Sequence, residues 1–128
     1  MFGIIFMITE KPWGYYKILY ENYNFHGYEN YPEFKVKELV VNPRSSLSLQ
    51  RHRQRSEQWT VVVGYPTVLI GSHRDLLKTI EMTKHQKLDI PVGHWHQLRN
   101  NTNYIVKILE IQYGEACEEN DIERISRT

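Results

Sequence analysis

From Gly14 onward the chain is a succession of short β-favouring runs, each closed by turn residues at a spacing of about 8–12 positions. "GYYKILY" runs into an aromatic, polar stretch with Gly27 and Pro32, and "FKVKELVV" closes on the turn "NPRSS". "LSLQRH", "EQWTVVVG", "PTVLIG", "LLKTIEM", "KLDIPVG", "HWHQLRN" and "YIVKILEIQ" follow in order. Val, Ile, Tyr and Trp enrich these runs, as strands require and buried helices of the same length do not. About nine or ten such strands, with almost no helical periodicity, predict an all-β sandwich or barrel.

A chain of 128 residues suits one domain spanning 1–128. Residues 1–10 read as an N-terminal strand or extension, and residues 114–128 as a helical or irregular tail. In "FKVKELVV" the candidates for burial are Phe34, Val36, Leu39 and Val41. The leading "MFGIIFMI" is far short of the roughly 20 apolar residues that span a bilayer. It also lacks a preceding positive charge and a small-residue cleavage site, so neither a membrane span nor a signal peptide is expected. A strand packed on the sheet or on a partner subunit is the expectation, which points to a homodimer. With 16 basic against 15 acidic residues, no global field favours nucleic acid or an anionic membrane. The single cysteine, Cys117, has no internal disulfide partner and reads as an ordinary thiol in a reducing, cytoplasmic setting.

Chemistry concentrates in "LQRHRQRSEQW", Leu49 to Trp59. Gln50 and His52 are two apart and share a strand face. Glu57 opens the next run, across the turn "RQRS", and is expected to return over them if the two strands pair antiparallel. Far along the chain, "PVGHWHQLRN" sets His96 behind a Pro91–Gly93 turn. Gln50, His52, Glu57 and His96 converging on a barrel interior would form the ligand set of a divalent ion. Zinc leads that expectation, with manganese, iron, cobalt and nickel as alternatives. Each histidine also fits a hydrogen-bonded structural role in a strand, and both readings stand on spacing alone.

The same residues carry a family resemblance. Gln50, His52, Glu57 and Gly64 follow the spacing of the first cupin motif, with glutamine in its first histidine slot. Pro91, Gly93, His96 and Asn100 follow the second. With "KPWGYYKILYE", "KVKELVVNP", "SLSLQRHRQRSEQWTVVVG", "IPVGHWHQLRN" and "ILEIQYGEACEENDIER", the chain resembles the cupin domain of type II mannose-6-phosphate isomerases. That domain also forms the C-terminal part of bifunctional mannose-1-phosphate guanylyltransferases. Gln54 and Gln58 replace family histidines, Arg44 replaces a turn glycine, and His94 is an additional loop residue.

The resemblance implies a single cupin barrel (a double-stranded β-helix, or jelly roll) and a metal-dependent enzyme interconverting mannose 6-phosphate and fructose 6-phosphate. Its partner would be a sugar phosphate, not a nucleic acid or a membrane. A phosphate needs fixed cationic donors, for which arginine's planar fork is suited. Arg55 is the first candidate, with Arg124 second; Arg51 and Arg53 read as the intervening turn. Trp13, Tyr15 and Trp59 offer walls for a sugar face, or equally the aromatic core of a small barrel. A cupin module that binds a sugar or sugar nucleotide without catalysis, or one with epimerase or oxygenase chemistry, is the competing expectation.

Overall fold

A computed structural model describes residues 7–21 and 33–125. Among them are eleven strands and no helix: β1 (Met7–Lys11), β2 (Gly14–Glu21), β3 (Glu33–Val41), β4 (Leu49–Arg51), β5 (Arg55–Val63), β6 (Thr67–Gly71), β7 (Lys78–Glu81), β8 (Lys87–Ile90), β9 (Trp95–Arg99), β10 (Val106–Gly114) and β11 (Glu123–Ile125). They form two antiparallel sheets, ordered β1-β2-β3-β10-β5-β8 and β11-β4-β9-β6-β7. The all-β cupin expectation is met. No helix of the described residues is long and apolar enough to cross a membrane. Of the expected N-terminal strand only Met7 onward lies within the described residues, where Met7 and Ile8 stand exposed on the edge strand β1.

The pleat determines which residues face between the sheets. On β5 the inward residues are Arg55, Glu57, Trp59 and Val61, and on β10 they are Val106, Ile108, Glu110 and Gln112. On β3 they are Lys35, Lys37, Leu39 and Val41. Pairing aligns these into rows: Leu39–Ile108–Val61, Lys37–Glu110–Trp59 and Lys35–Gln112–Glu57. The interior is therefore apolar toward one end of the strands and charged toward the other. Trp13, Leu47, Val68, Met82, Ile90 and Leu98 complete the apolar half.

That parity corrects one expectation. Leu39 and Val41 are buried as foreseen, but Phe34 and Val36 lie on the opposite face and are only half-buried. Phe34 stacks on Tyr20 with ring centroids 5.0 Å apart. Because strand faces alternate strictly, burying Leu39 and Val41 turns Lys35 and Lys37 inward.

Two turns carry motif residues. Gly14 has φ 145°, and a Cβ there would lie 2.0 Å from the Val40 carbonyl oxygen, so only glycine fits where "KPWG" crosses β3. Arg44, in the place of a turn glycine, adopts φ 59°, the left-handed conformation that glycine takes without strain. Its backbone amide donates to Thr102 O at 3.1 Å and its Nε to Asn103 Oδ1 at 2.9 Å, so the turn survives the exchange.

Asn100, last residue of the second motif, is a structural clamp. Its Nδ2 donates to the carbonyls of Val41, Asn42 and Tyr104 at 3.1, 3.1 and 2.6 Å. Its Oδ1 accepts from the Thr102 amide and hydroxyl at 3.1 and 2.7 Å. Replacing it leaves several buried carbonyls without a donor. Asn100→Ala is expected to lower unfolding free energy by roughly 2–4 kcal/mol, read from denaturant unfolding; a loss under about 0.5 kcal/mol would contradict the clamp.

Candidate metal centre

Glu57 lies on β5 of the larger sheet, and Gln50 and His96 are cross-strand neighbours on β4 and β9 of the smaller one. His52 follows β4 in the corner that leads the chain to β5. Three of the four residues expected to converge, His52, Glu57 and His96, do so, with Gln50 on the strand beside His96, but not by the expected route. β4 pairs with β9 and β11, whereas β5 pairs with β10 and β8. "RHRQ" is thus a crossing from one sheet to the other, and Glu57 meets the histidines from the facing sheet.

His52, Glu57 and His96 are all buried, and one ligand atom from each lies within 4.8 Å of the others. Glu57 Oε2 is 3.4 Å from His52 Nε2, and Oε1 is 3.3 Å from His96 Nε2. Neighbouring ligands of a tetrahedral ion with bonds of about 2.1 Å stand about 3.4 Å apart, so the spacing fits. Both imidazoles turn Nδ1 to a backbone carbonyl: His52 to Asp121 O at 2.7 Å and His96 to His94 O at 3.0 Å. Donation from Nδ1 leaves Nε2 as the lone-pair atom, the arrangement of metal-bound histidine. His96 Nε2 is buried with no hydrogen-bond partner. An orphaned acceptor in that position is what a bound cation would satisfy.

Electrostatics agree. Burial pushes the His52 imidazole down to about 4, and Arg55 and His96 add to this against the attraction of Glu57, so the ring is neutral at pH 7. Burial opposes the charge of Glu57, yet His96, His52 and Arg55 outweigh it and hold the carboxyl well below the usual range. Two imidazole nitrogens facing a carboxylate, with the His52 ring neutral, are a donor set for zinc or another first-row divalent ion. Gln50 flanks the set: its amide nitrogen donates to Ser48 O and Oγ, both at 3.3 Å, and its amide oxygen is the atom it would offer an ion.

The arginines divide. Arg51 donates to Glu123 Oε2 at 2.9 Å and lies over the Trp95 ring; Arg53 donates to Glu123 Oε1 with Nε at 2.7 Å. Arg53 belongs to the turn, as expected, whereas Arg51 is the last residue of β4, paired with Glu123 on β11. Arg55 is buried, with Nε on Glu57 Oε2 at 3.1 Å and Nη1 on Glu118 O at 2.8 Å. Arg55 thus orients the carboxylate of the ligand set and ties the C-terminal segment to it. Arg124 is exposed at the rim, opposite Gln50 on β11. Gln54 is exposed, and Gln58 turns away from Glu57 to donate to Asp89 Oδ1 at 3.1 Å. Neither lines the cavity.

That cavity, of about 460 Å³, opens beside the ligand set. Trp13, Gln50, Arg55, Glu57, Trp59 and Arg124 line it; Tyr15 does not, and its neighbour Tyr16 takes that place because Tyr15 falls on the other face of β2. Lys37, Glu110 and Glu119 line it too and went unnoticed in the sequence. Parity would have found the first two, since Lys37 is in phase with Leu39 and Glu110 with Ile108. Glu110 accepts from Trp59 Nε1 at 2.8 Å and Gln112 Nε2 at 2.6 Å, and burial, then Glu57, pushes its carboxyl upward. Glu119 is delivered by the segment after β10, which is irregular, as one of the two expectations had it, with a turn at Glu119–Asn120 before β11.

The model of the mannose-6-phosphate isomerase C-terminal family matches residues 5–127. The alginate biosynthesis protein AlgA of Pseudomonas putida is 37% identical over 114 residues, covering 89% of this chain and 21% of that protein. The xanthan biosynthesis protein XanB of Xanthomonas campestris is 32% identical over 118 residues, 92% of this chain and 22% of its own length. A mannose-1-phosphate guanylyltransferase of Klebsiella pneumoniae is 31% identical over 115 residues, 90% and 21%. The chain thus spans about one fifth of the length of these relatives. Among solved structures, the capsular polysaccharide assembling protein CapF of Staphylococcus aureus superposes with a TM-score of 0.77 at 16% identity, over 97% of this chain and 35% of that one. Oxalate decarboxylase OxdC of Bacillus subtilis gives 0.75 at 13% identity, over 94% and 30%; both establish the fold alone. By sequence match along nearly its whole length, the chain belongs to the mannose-6-phosphate isomerase C-terminal family of cupin domains.

Proposed function

We propose that this domain is a metal-dependent sugar-phosphate isomerase that interconverts mannose 6-phosphate and fructose 6-phosphate. The observation that carries the reading is one cavity that opens on Glu57, a member of the metal ligand set, and is lined by an excess of cations. Lys11, Lys37, Arg55 and Arg124 line it against Glu57, Glu110 and Glu119, and a bound divalent ion would widen that excess. A cavity of about 460 Å³ accommodates a hexose phosphate and excludes a macromolecule. Family membership supports the same substrate class.

The chemistry moves a proton between C2 and C1 of the sugar through an enediol. A divalent ion held by His52, Glu57, His96 and Gln50 would supply polarisation of the sugar oxygens and stabilise negative charge as the enediol forms. Trp13 and Tyr16 wall the sugar, and Lys37 and Arg124 face its phosphate. Glu110 is our assignment for the proton carrier: it lines the cavity, is not a ligand, and burial raises its carboxyl above the ordinary value. Gln54 and Gln58, where the sequence departs from the family, lie off the cavity and leave this assignment untouched.

Metal analysis of the purified protein is expected to give about one divalent ion per chain, lost in Glu57→Ala; unchanged metal content in that variant would refute the ligand set. A coupled assay of fructose 6-phosphate formation from mannose 6-phosphate is expected to show turnover that chelation abolishes and metal restores. No turnover with zinc, manganese, iron, cobalt or nickel supplied would overturn the isomerase. Acid also tests the centre. His52 titrates near 6.5 when unfolded and near 4 when folded, so the metal-free fold is favoured above pH 6.5 and loses that contribution, about 3 kcal/mol, as pH falls to 4. Thermal unfolding of metal-free protein across this range should show the decline, and His52→Gln should flatten it.

A further inference from the structure

The segment between β10 and β11 crosses the charged end of the interior and is held there by buried cations. Lys35 Nζ donates to Cys117 O at 2.6 Å, and Arg55 Nη1 donates to Glu118 O at 2.8 Å. Lys37 Nζ pairs with Glu119 Oε1, which lies 3.3 Å from Lys35 Nζ as well. The two lysine side chains are 8% and 5% exposed, whereas that of Glu119 is 47% exposed. Deep cations thus share a carboxylate that itself reaches solvent. Lys37 also sits 4.1 Å over the Tyr16 ring, inside the cavity.

A buried ammonium without an anion is strongly unfavourable, so Lys37 always needs a partner. Glu119 supplies one from a segment that belongs to no strand. A phosphate dianion carries more charge and more acceptor oxygens than a carboxylate and suits several cationic donors better. Resting on the isomerase reading above, we infer that the Glu119 carboxylate is a resident anion occupying the phosphate subsite at Lys37, and that the phosphate of the substrate displaces it. Only the side chain has to leave, because the carbonyls of Cys117 and Glu118 stay on Lys35 and Arg55. The exchange makes occupancy conditional on phosphate: a neutral hexose offers no anion to Lys37 and leaves Glu119 in place. The subsite therefore selects sugar phosphates over free sugars by competition, in addition to attraction.

Inorganic phosphate is the probe, titrated into the full chain with and without divalent metal. In the wild-type protein the amide resonances of Glu118 to Asn120 are expected to shift with phosphate and to stay fixed with mannose. Calorimetry on Glu119→Gln should show phosphate binding strengthened about five- to tenfold, since the competing charge is removed while its shape is kept. Equal or weaker phosphate binding in Glu119→Gln overturns the exchange, and so do unmoved resonances. The titration needs no turnover. Strengthened phosphate binding in a protein inactive on mannose 6-phosphate would defeat the isomerase alone, and isomerase activity with unaltered phosphate affinity would defeat the exchange alone.

Discussion

Everything in this molecule depends on the strict alternation of strand faces acting on three neighbouring strands whose inward residues change character partway along. On β3, β10 and β5, apolar rows give way to Lys37–Glu110–Trp59 and then to Lys35–Gln112–Glu57. Buried charges are tolerated only when paired, and cross-strand placement brings the partners opposite one another. The apolar half supplies the driving force for closing the two sheets. The charged half, held shut by that closure, becomes a low-dielectric place where a carboxylate and two imidazoles can be kept at ligand spacing. Neither half is sufficient: an all-apolar interior would have no site, and an all-charged one would have nothing to hold it together.

The smaller sheet and the corner that leaves it contribute the imidazoles, and the larger sheet contributes the carboxylate. His96 is fixed from behind by the edge of Trp59, with ring centroids 5.5 Å apart, and His52 by the tail carbonyl of Asp121. Glu57 is fixed by Arg55. The histidines are thus oriented by neighbours from other elements and Glu57 by Arg55 two residues away on its own strand, which is how a small barrel achieves precision without a large core.

Much of this was readable in the sequence, and the remainder was hidden for identifiable reasons. Turn residues at regular intervals give the all-β architecture directly. Gln50, His52, Glu57 and His96 stand out as candidates by the two-residue strand period and the Pro91–Gly93 turn, and it is the resemblance to the two cupin motifs that singles them out. Lys35 and Lys37 were hidden because lysine reads as surface, although their phase with Leu39 and Val41 places them inside. The corner after His52 was mistaken for a hairpin because both are short and polar. Only the distant partners of β4 and β5 tell them apart. Tyr16 displaced Tyr15 by one position, the smallest error that reverses a face. Glu119 carried no local signal at all, since what positions it is a set of long-range cations.

Asp121 has a consequence of another kind. Its carboxylate accepts the backbone amides of Arg53 at 3.0 Å and Gln54 at 2.9 Å, while its carbonyl accepts His52 Nδ1 at 2.7 Å. One residue near the end of the chain thereby shapes the corner and sets the tautomer of a ligand. Thermodynamic reciprocity then applies: whatever free energy an ion gains from a docked C-terminal segment, that segment gains from the ion. The order of the last strand and the affinity of the centre are two readings of a single coupling. A change far from the histidines that loosens the tail would be felt by the metal as a weaker ligand.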